Sequence, residues 1–213
     1  RRGSTGGAAI ALYDARAVKR GNIKLGVTET SGGGSMTGVI ASGAGGFTNA
    51  KDGTLYIGRM PQNHNNDPTS DVAVNLSDGA SAIRSFLGSR TVNNGRIVIG
   101  SLVQNAVGML VEYGPNATAR NNGVIDVNGM AEGQPRENIG MLVVDSGSSG
   151  KVGNGKAGTI NLNGYNSTGL KVIAHEGESA KAYSHGAINI LSDAVQYGTT
   201  DHNTAVWVIG EEG

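Results

Sequence analysis

One short pattern recurs six times along the chain, and no other feature narrows the fold as much. It runs turn-forming residue, Gly, variable residue, aliphatic, variable residue, aliphatic. The first copies are Arg20-Gly21-Asn22-Ile23-Lys24-Leu25, Asp52-Gly53-Thr54-Leu55-Tyr56-Ile57 and Asn94-Gly95-Arg96-Ile97-Val98-Ile99. The later ones are Asn122-Gly123-Val124-Ile125-Asp126-Val127, Ala157-Gly158-Thr159-Ile160-Asn161-Leu162 and His185-Gly186-Ala187-Ile188-Asn189-Ile190. Successive glycines are 32, 42, 28, 35 and 28 residues apart, so the repeat is elastic. A second pattern alternates with the first: a small residue, an aliphatic, a variable residue, then an aliphatic or small one. It begins at Ala9, Gly38, Ala82, Gly108, Gly140, Gly169 and Ala205.

Apolar residues at every second position mark a strand with one face buried. The inward pairs of the first pattern are then Ile23/Leu25, Leu55/Ile57, Ile97/Ile99, Ile125/Val127, Ile160/Leu162 and Ile188/Ile190. Between them, pointing outward, stand Lys24, Tyr56, Val98, Asp126, Asn161 and Asn189. Like residues at like positions in every copy imply that the copies stack. An up-and-down antiparallel sheet would join its strands by hairpins of two to five residues, and most links here are longer. A propeller blade needs four strands, and a 28-residue unit is too short for them. What remains is a coil of two or three short strands per turn, climbing about 4.8 Å each time. The expected fold is all-β, a right-handed parallel β-helix of about six to seven coils with loop insertions.

Composition agrees. Glycine makes up 36 of 213 residues, more than twice the usual share of roughly 7%. Charged residues are 16%, below the roughly 25% of ordinary domains. The Asn-Gly and Asp-Gly pairs tolerate positive φ and would turn the corner into the next strand, while Gly lets stacked corners approach closely. Asn94, Asn122 and Asp52 would bond along the stack as an amide ladder, interrupted at Ala157 and His185. Residues 58–71 are the longest polar insertion, followed by Val72-Ala73-Val74-Asn75-Leu76 as a strand on a third face. Residues 112–120, 129–137 and 145–156 are further loops. None resembles an interdomain linker, so residues 1–213 are expected to form one domain.

Seventeen basic and 17 acidic side chains cancel, which argues against a basic field for nucleic acid or an anionic membrane. No apolar run approaches the roughly 20 residues of a membrane helix. The absence of cysteine suits an oxidising compartment and therefore export. The chain opens Arg1-Arg2-Gly3, without an initiator Met, and is expected to be a fragment of a longer protein.

The run from Gly158 to Leu170, Gly-Thr-Ile-Asn-Leu-Asn-Gly-Tyr-Asn-Ser-Thr-Gly-Leu, closely resembles the passenger domains of bacterial autotransporters, the type V secreted surface proteins. Asn121 to Gly129, followed by Ile139-Gly140-Met141, has the same texture, and the likeness extends over nearly the whole chain. The resemblance implies a β-helical stalk at the bacterial cell surface or secreted across the outer membrane. It further implies adhesion, aggregation, or display of an effector domain. The partners it implies are a host-cell surface, extracellular matrix, or the same protein on another bacterium, with no nucleic acid and no membrane insertion of this segment.

Candidate chemistry is sparse. Val144-Asp145-Ser146-Gly147 imitates the surround of a trypsin-like nucleophile, yet it lacks the leading Gly and sits in a Gly/Ser loop, where a turn explains it. Gly34-Ser35-Met36-Thr37 is a fainter imitation of a subtilisin-type site. His64, His175, His185 and His202 have no metal-ligand spacing, and His185 occupies a corner that other copies fill with Asn, Asp or Ala. No cofactor, metal or catalytic residue is expected. A carbohydrate-active β-helix would cluster acids and bases on one face, whereas the first outward column offers only Lys24 and Asp126, far apart.

The outward column of the second pattern is more informative: Ala11, Ile40, Arg84, Leu110, Leu142, Lys171 and Trp207. Leu110 and Leu142 fall in consecutive coils, about 5 Å apart. Ile40, Leu110, Leu142 and Trp207 are therefore either an interaction surface or apolar residues covered by a loop such as residues 145–156. Three functions follow in order of preference. The first is an adhesive or aggregating passenger segment, and the second a passive stalk whose protease domain lies upstream. The third is a carbohydrate-active β-helix.

Overall fold

A four-residue run with one apolar face can neither bury that face nor satisfy its backbone alone. In the computed structural model of the chain each run finds its partner one repeat away. The structure describes residues 6–25, 35–58, 80–100, 103, 105–128, 137–145, 150–164, 166–175, 177–191 and 203–210. The second pattern forms sheet A: β1 (Gly6–Tyr13), β4 (Ser35–Ser42), β7 (Ser81–Ser85), β10 (Val107–Glu112), β13 (Asn138–Asp145), β16 (Ser167–Ala174) and β19 (Thr204–Gly210). The first pattern forms sheet C: β3 (Asn22–Leu25), β6 (Thr54–Ile57), β9 (Arg96–Ile99), β12 (Val124–Val127), β15 (Thr159–Leu162) and β18 (Ala187–Ile190). Sheet B is the third: β2 (Arg16–Lys19), β5 (Gly46–Asn49), β8 (Arg90–Asn93), β11 (Thr118–Asn121), β14 (Gly150–Asn154) and β17 (Ala180–Ser184). All pairings are parallel, and the chain visits A, B and C in turn, so the molecule is a solenoid of the parallel β-helix kind. The strand expected at Val72–Leu76 lies outside the described residues.

Registers match the sequence pattern residue for residue. Ile125 pairs with Ile97 and Ile160, and Leu110 with Arg84 and Leu142. The inward pairs from Leu55/Ile57 to Ile160/Leu162 are buried in one continuous core with Met109, Met141, Val143 and Leu170. The small residue that opens the second pattern has a steric cause. A Cβ at Gly108 would stand 2.5 Å from the Gly140 carbonyl oxygen, and one at Gly140 would stand 2.7 Å from that of Gly169.

The glycines of the first pattern need a different explanation from the one expected. Of the six, Gly21 alone has a positive φ, and none of Asp52, Asn94 and Asn122 does. Close approach is what excludes a side chain there: a Cβ on Gly123 would lie 2.0 Å from the Gly95 carbonyl oxygen. Left-handed residues stand instead mainly between sheets A and B, at Asp14, Gly43, Leu87, Gly88, Tyr113, Gly114, Asn116 and Gly177, with Gly58, Asn105 and Asn166 between sheets C and A.

The amide ladder exists, but mainly one position earlier and pointing inward. Asn122 Nδ2 does donate to Asn94 Oδ1 at 3.1 Å, an exposed single rung. The continuous ladder runs through Asn49, Asn93, Asn121 and Asn154, all fully buried at the end of sheet B. Asn49, Asn93 and Asn121 each donate to the next Oδ1 at 2.8–2.9 Å. They also donate to the motif-glycine carbonyl of their own coil and to the first carbonyl of the next sheet C strand. Asn154 ends the series on Ser184 and Ala187.

Lys19 occupies the first rung, paired in register with Asn49. Its ammonium imitates the amide, donating to Asn49 Oδ1 at 3.2 Å and to the Thr54 carbonyl at 2.8 Å. Burial lowers the Lys19 pKa to about 8, opposed only in part by the Asp52 carboxylate. Because the folded pKa lies below the unfolded one, the charged lysine destabilises the fold below about pH 8, and the cost fades as pH rises toward 10.5. Lys19→Asn adds a neutral rung. We expect it to stabilise the chain by about 1–2 kcal/mol at neutral pH. That advantage should shrink between pH 8 and 10.5 in denaturant titrations followed by circular dichroism.

Candidate functional site

On sheet A the outward column forms in the expected order, Ala11, Ile40, Arg84, Leu110, Leu142, Lys171 and Trp207. Its members do not share one environment. Leu110 and Leu142 are buried in a small apolar cluster with Val107 and Ile139, against which Val144 and Ile173 pack. They are therefore not presented to solvent. Ile40 is half-buried, and Trp207 is 45% exposed. The cations of this column are engaged. Arg84 pairs with Glu112 and lies over the Phe86 ring, 5.3 Å from its centroid. Lys171 pairs with Glu137 and stands 4.1 Å from the centre of the Trp207 ring.

Sheet C offers little more. Lys24 is exposed, but Tyr56, Val98 and Asp126, expected to face outward, are buried within their column. Asp126 accepts from Arg96 Nε at 2.6 Å and Asn161 Nδ2 at 2.8 Å, and Asn161 accepts in turn from Asn189 at 2.9 Å. An acid held in this way by an arginine and an amide braces the stack.

The other candidates do not converge. His185 is exposed, its ring edge-on to Tyr183 with centroids 5.5 Å apart. His175 lies in the corner after β16, where its carbonyl accepts from Glu178 N at 3.0 Å. His64, Ser146 and His202 lie outside the described residues. Among the described residues no three His, Cys, Asp or Glu side chains gather to hold a metal, and no helix is long and apolar enough to cross a membrane.

The face that stands out is the one sequence reading missed. The sheet B strands turn Ala17/Lys19, Phe47/Asn49, Thr91/Asn93, Ala119/Asn121, Val152/Asn154 and Ala182/Ser184 inward. The opposite positions are Arg16/Val18, Gly46/Thr48, Arg90/Val92, Thr118/Arg120, Lys151/Gly153 and Lys181/Tyr183. Five of those outward residues are basic and none is acidic. All five cations are exposed, and none is in an ion pair or side-chain hydrogen bond among the described residues.

They line a trough along the stack. One stretch of about 720 Å³ lies among Arg90, Arg120, Lys151, Lys181 and Tyr183. A second, of about 630 Å³, lies among Arg16, Val18, Thr48 and Arg90, so Arg90 and Val92 join the two. Gly153 is bare, and the Tyr183 ring occupies the space its side chain would take. Equal totals of charge concealed this field, because among the described residues the ion-paired acids sit elsewhere: Asp52 with Arg20, Glu112 with Arg84, Asp126 with Arg96, Glu137 with Lys171.

Two signals could have revealed the third sheet. Asn precedes the motif glycine by two residues at Asn93 and Asn121 and by four at Asn49 and Asn154. Arg or Lys recurs three residues before that column at Arg16, Arg90, Lys151 and Lys181. Comparison with protein-family models, curated proteins and solved structures returns no match to this chain.

Proposed function

We propose that the chain is a single right-handed β-helical rod of about six to seven coils, exposed on or secreted from a bacterium, acting in adhesion or cell–cell aggregation. The right hand is supported by the strong general preference of parallel crossovers for it. The adhesive reading is supported by how the sequence divides its labour. Residues that recur from coil to coil are spent on the buried columns, and those that vary stand outside. One observation carries the reading furthest: the outer surface of sheet B holds five exposed cations with no ion-pair partner among the described residues, whereas Arg84 and Lys171 on sheet A and Arg96 on sheet C are paired. A surface that only supported a distant domain would have no need of such a field. The type V resemblance of the Gly158–Leu170 run suits the same conclusion.

Displaying the segment on a non-adherent bacterium tests it. Cells carrying the segment are expected to clump or to bind cultured host cells above those carrying an unrelated β-solenoid. Equal sedimentation and equal host-cell counts for the two would overturn the adhesive function.

A further inference from the structure

We infer that the sheet B trough binds a linear polysaccharide bearing an anionic group, carboxylate or sulfate, on its repeating unit. The inference deepens the adhesive reading and rests on it for its setting. Arg16, Arg90 and Lys151 occupy one outward column at alternate strands, with Gly46 and Thr118 between them. Parallel strands stand about 4.8 Å apart, so these cations repeat about every 9.6 Å along the axis. Such a spacing is close to the length of a disaccharide unit. Lys181 follows one strand beyond Lys151, and Arg120 lies in the neighbouring outward column beside them. A stiff chain lying along the trough would meet a cation at each repeat, without the protein having to bend or order a loop.

The intervening surface suits a sugar. Thr48, Thr118 and Asn116 supply polar groups between the cations, and Val92 is the apolar step where the two stretches join. Tyr183 lies across Gly153 next to Lys151 and Lys181, in place for a pyranose ring to stack on it. Nucleic acid is disfavoured because single strands are held by aromatic rings interleaved with the cations, and Tyr183 is the one aromatic among the outward positions of this sheet. An anionic membrane is disfavoured because the trough is concave and its apolar residues, Val18 and Val92, do not form an insertable ridge. Among the described residues no acid lines the trough; Asp14 and Glu178 stand in the corners that lead into β2 and β17. Each contact between an exposed cation and an anion is weak, so binding should depend on several together and fall with added salt.

The test uses the full chain with four probes: heparin, hyaluronate, neutral dextran and oligothymidylate. Heparin, hyaluronate or both should bind in low salt and be released by high salt, which separates sulfate from carboxylate recognition, and dextran should not bind. Arg90→Ser with Lys151→Ser should weaken binding about tenfold, the equivalent of about 1.4 kcal/mol shared between the two lost contacts. Arg20→Ser with Lys24→Ser removes the same net charge away from the trough and should leave binding within about twofold. Equal loss in both double variants, tighter binding of oligothymidylate than of either acidic polysaccharide, or binding of neither polysaccharide would each overturn the inference. The cell assay separates the two readings. If displaying cells adhere while the pure chain binds neither acidic polysaccharide, adhesion stands and the trough does not. If the pure chain binds polysaccharide while displaying cells neither adhere nor clump, the trough stands and the adhesive function does not.

Discussion

Asn121→Leu should destabilise the chain by roughly 3–5 kcal/mol, although leucine keeps the branched outline of asparagine and the site is fully buried. The ladder turns an ordinarily tolerated change into a severe one. Asn121 accepts from Asn93 Nδ2 at 2.8 Å and donates to Asn154 Oδ1 at 2.9 Å and to the Thr159 carbonyl at 3.3 Å. Leucine strips one N–H of Asn93 and the Oδ1 of Asn154 of these partners, in a place water cannot reach. Each buried group left unsatisfied costs about 1–3 kcal/mol. The amides also point the same way along the stack, so each polarises the next and a break is felt on both sides. Urea titration followed by circular dichroism measures the loss. Asn121→Asp sharpens the test, because an ionised carboxylate would face the oxygens of Asn154, Gly123 and Thr159 with no proton to offer. It should be at least as damaging at neutral pH and partly recover in acid, where the carboxyl regains a donor. A loss below about 1 kcal/mol in both variants would show that the ladder does not hold the coils together.

Gly123→Ala is expected to cost about 3 kcal/mol or more, for a reason unrelated to backbone conformation. The added methyl would sit 2.0 Å from the Gly95 carbonyl oxygen and 2.7 Å from the Asn94 carbonyl carbon. Neither side can give way. Val124 N donates to Gly95 O at 2.9 Å, Gly123 N to Asn93 O at 3.0 Å, and Thr159 N to Gly123 O at 2.9 Å. Separating the coils enough to admit the methyl stretches those bonds together. Gly7→Ala is the comparison, since nothing lies within 4 Å of its added Cβ and its φ is ordinary. It should change stability by no more than about 0.5 kcal/mol. Similar melting temperatures for the two variants would contradict the close packing of the corners.

Two of the three sheets were legible in the sequence, and to single-residue register. Ile97, Ile125 and Ile160 could be aligned because an aliphatic pair flanked by glycine repeats wherever a strand buries one face. Sheet B was not legible because its inward residues are mostly not aliphatic. Asn93, Asn121 and Asn154 read as loop residues when taken singly, and only an amide of the next coil makes them suitable for a core. Elasticity in the turn from sheet B to sheet C, two residues in some coils and four in others, hid their alignment. The candidate site suffered for the same reason. The apolar column containing Leu110 and Leu142 was found in the correct order, yet those two leucines are buried among Val107 and Ile139. The cations of sheet B were in plain sight as residues and invisible as a surface, because a net charge of zero averages over faces that the fold keeps apart.

Local chemistry therefore decided by itself that the chain is a stack of strands, which residues turn inward on two sheets, and which copies lie next to one another. These follow from a period of two and from like residues at like positions, and both are properties of neighbours in sequence. The tertiary structure alone decided that each turn has three sides, that a line of asparagines runs through the interior, and that glycine at the corners answers to contact with the coil beside it. It also decided where charge collects. Those features depend on groups some 28 to 44 residues apart meeting across a single strand spacing, and no local pattern encodes which polar side chain will find its partner there.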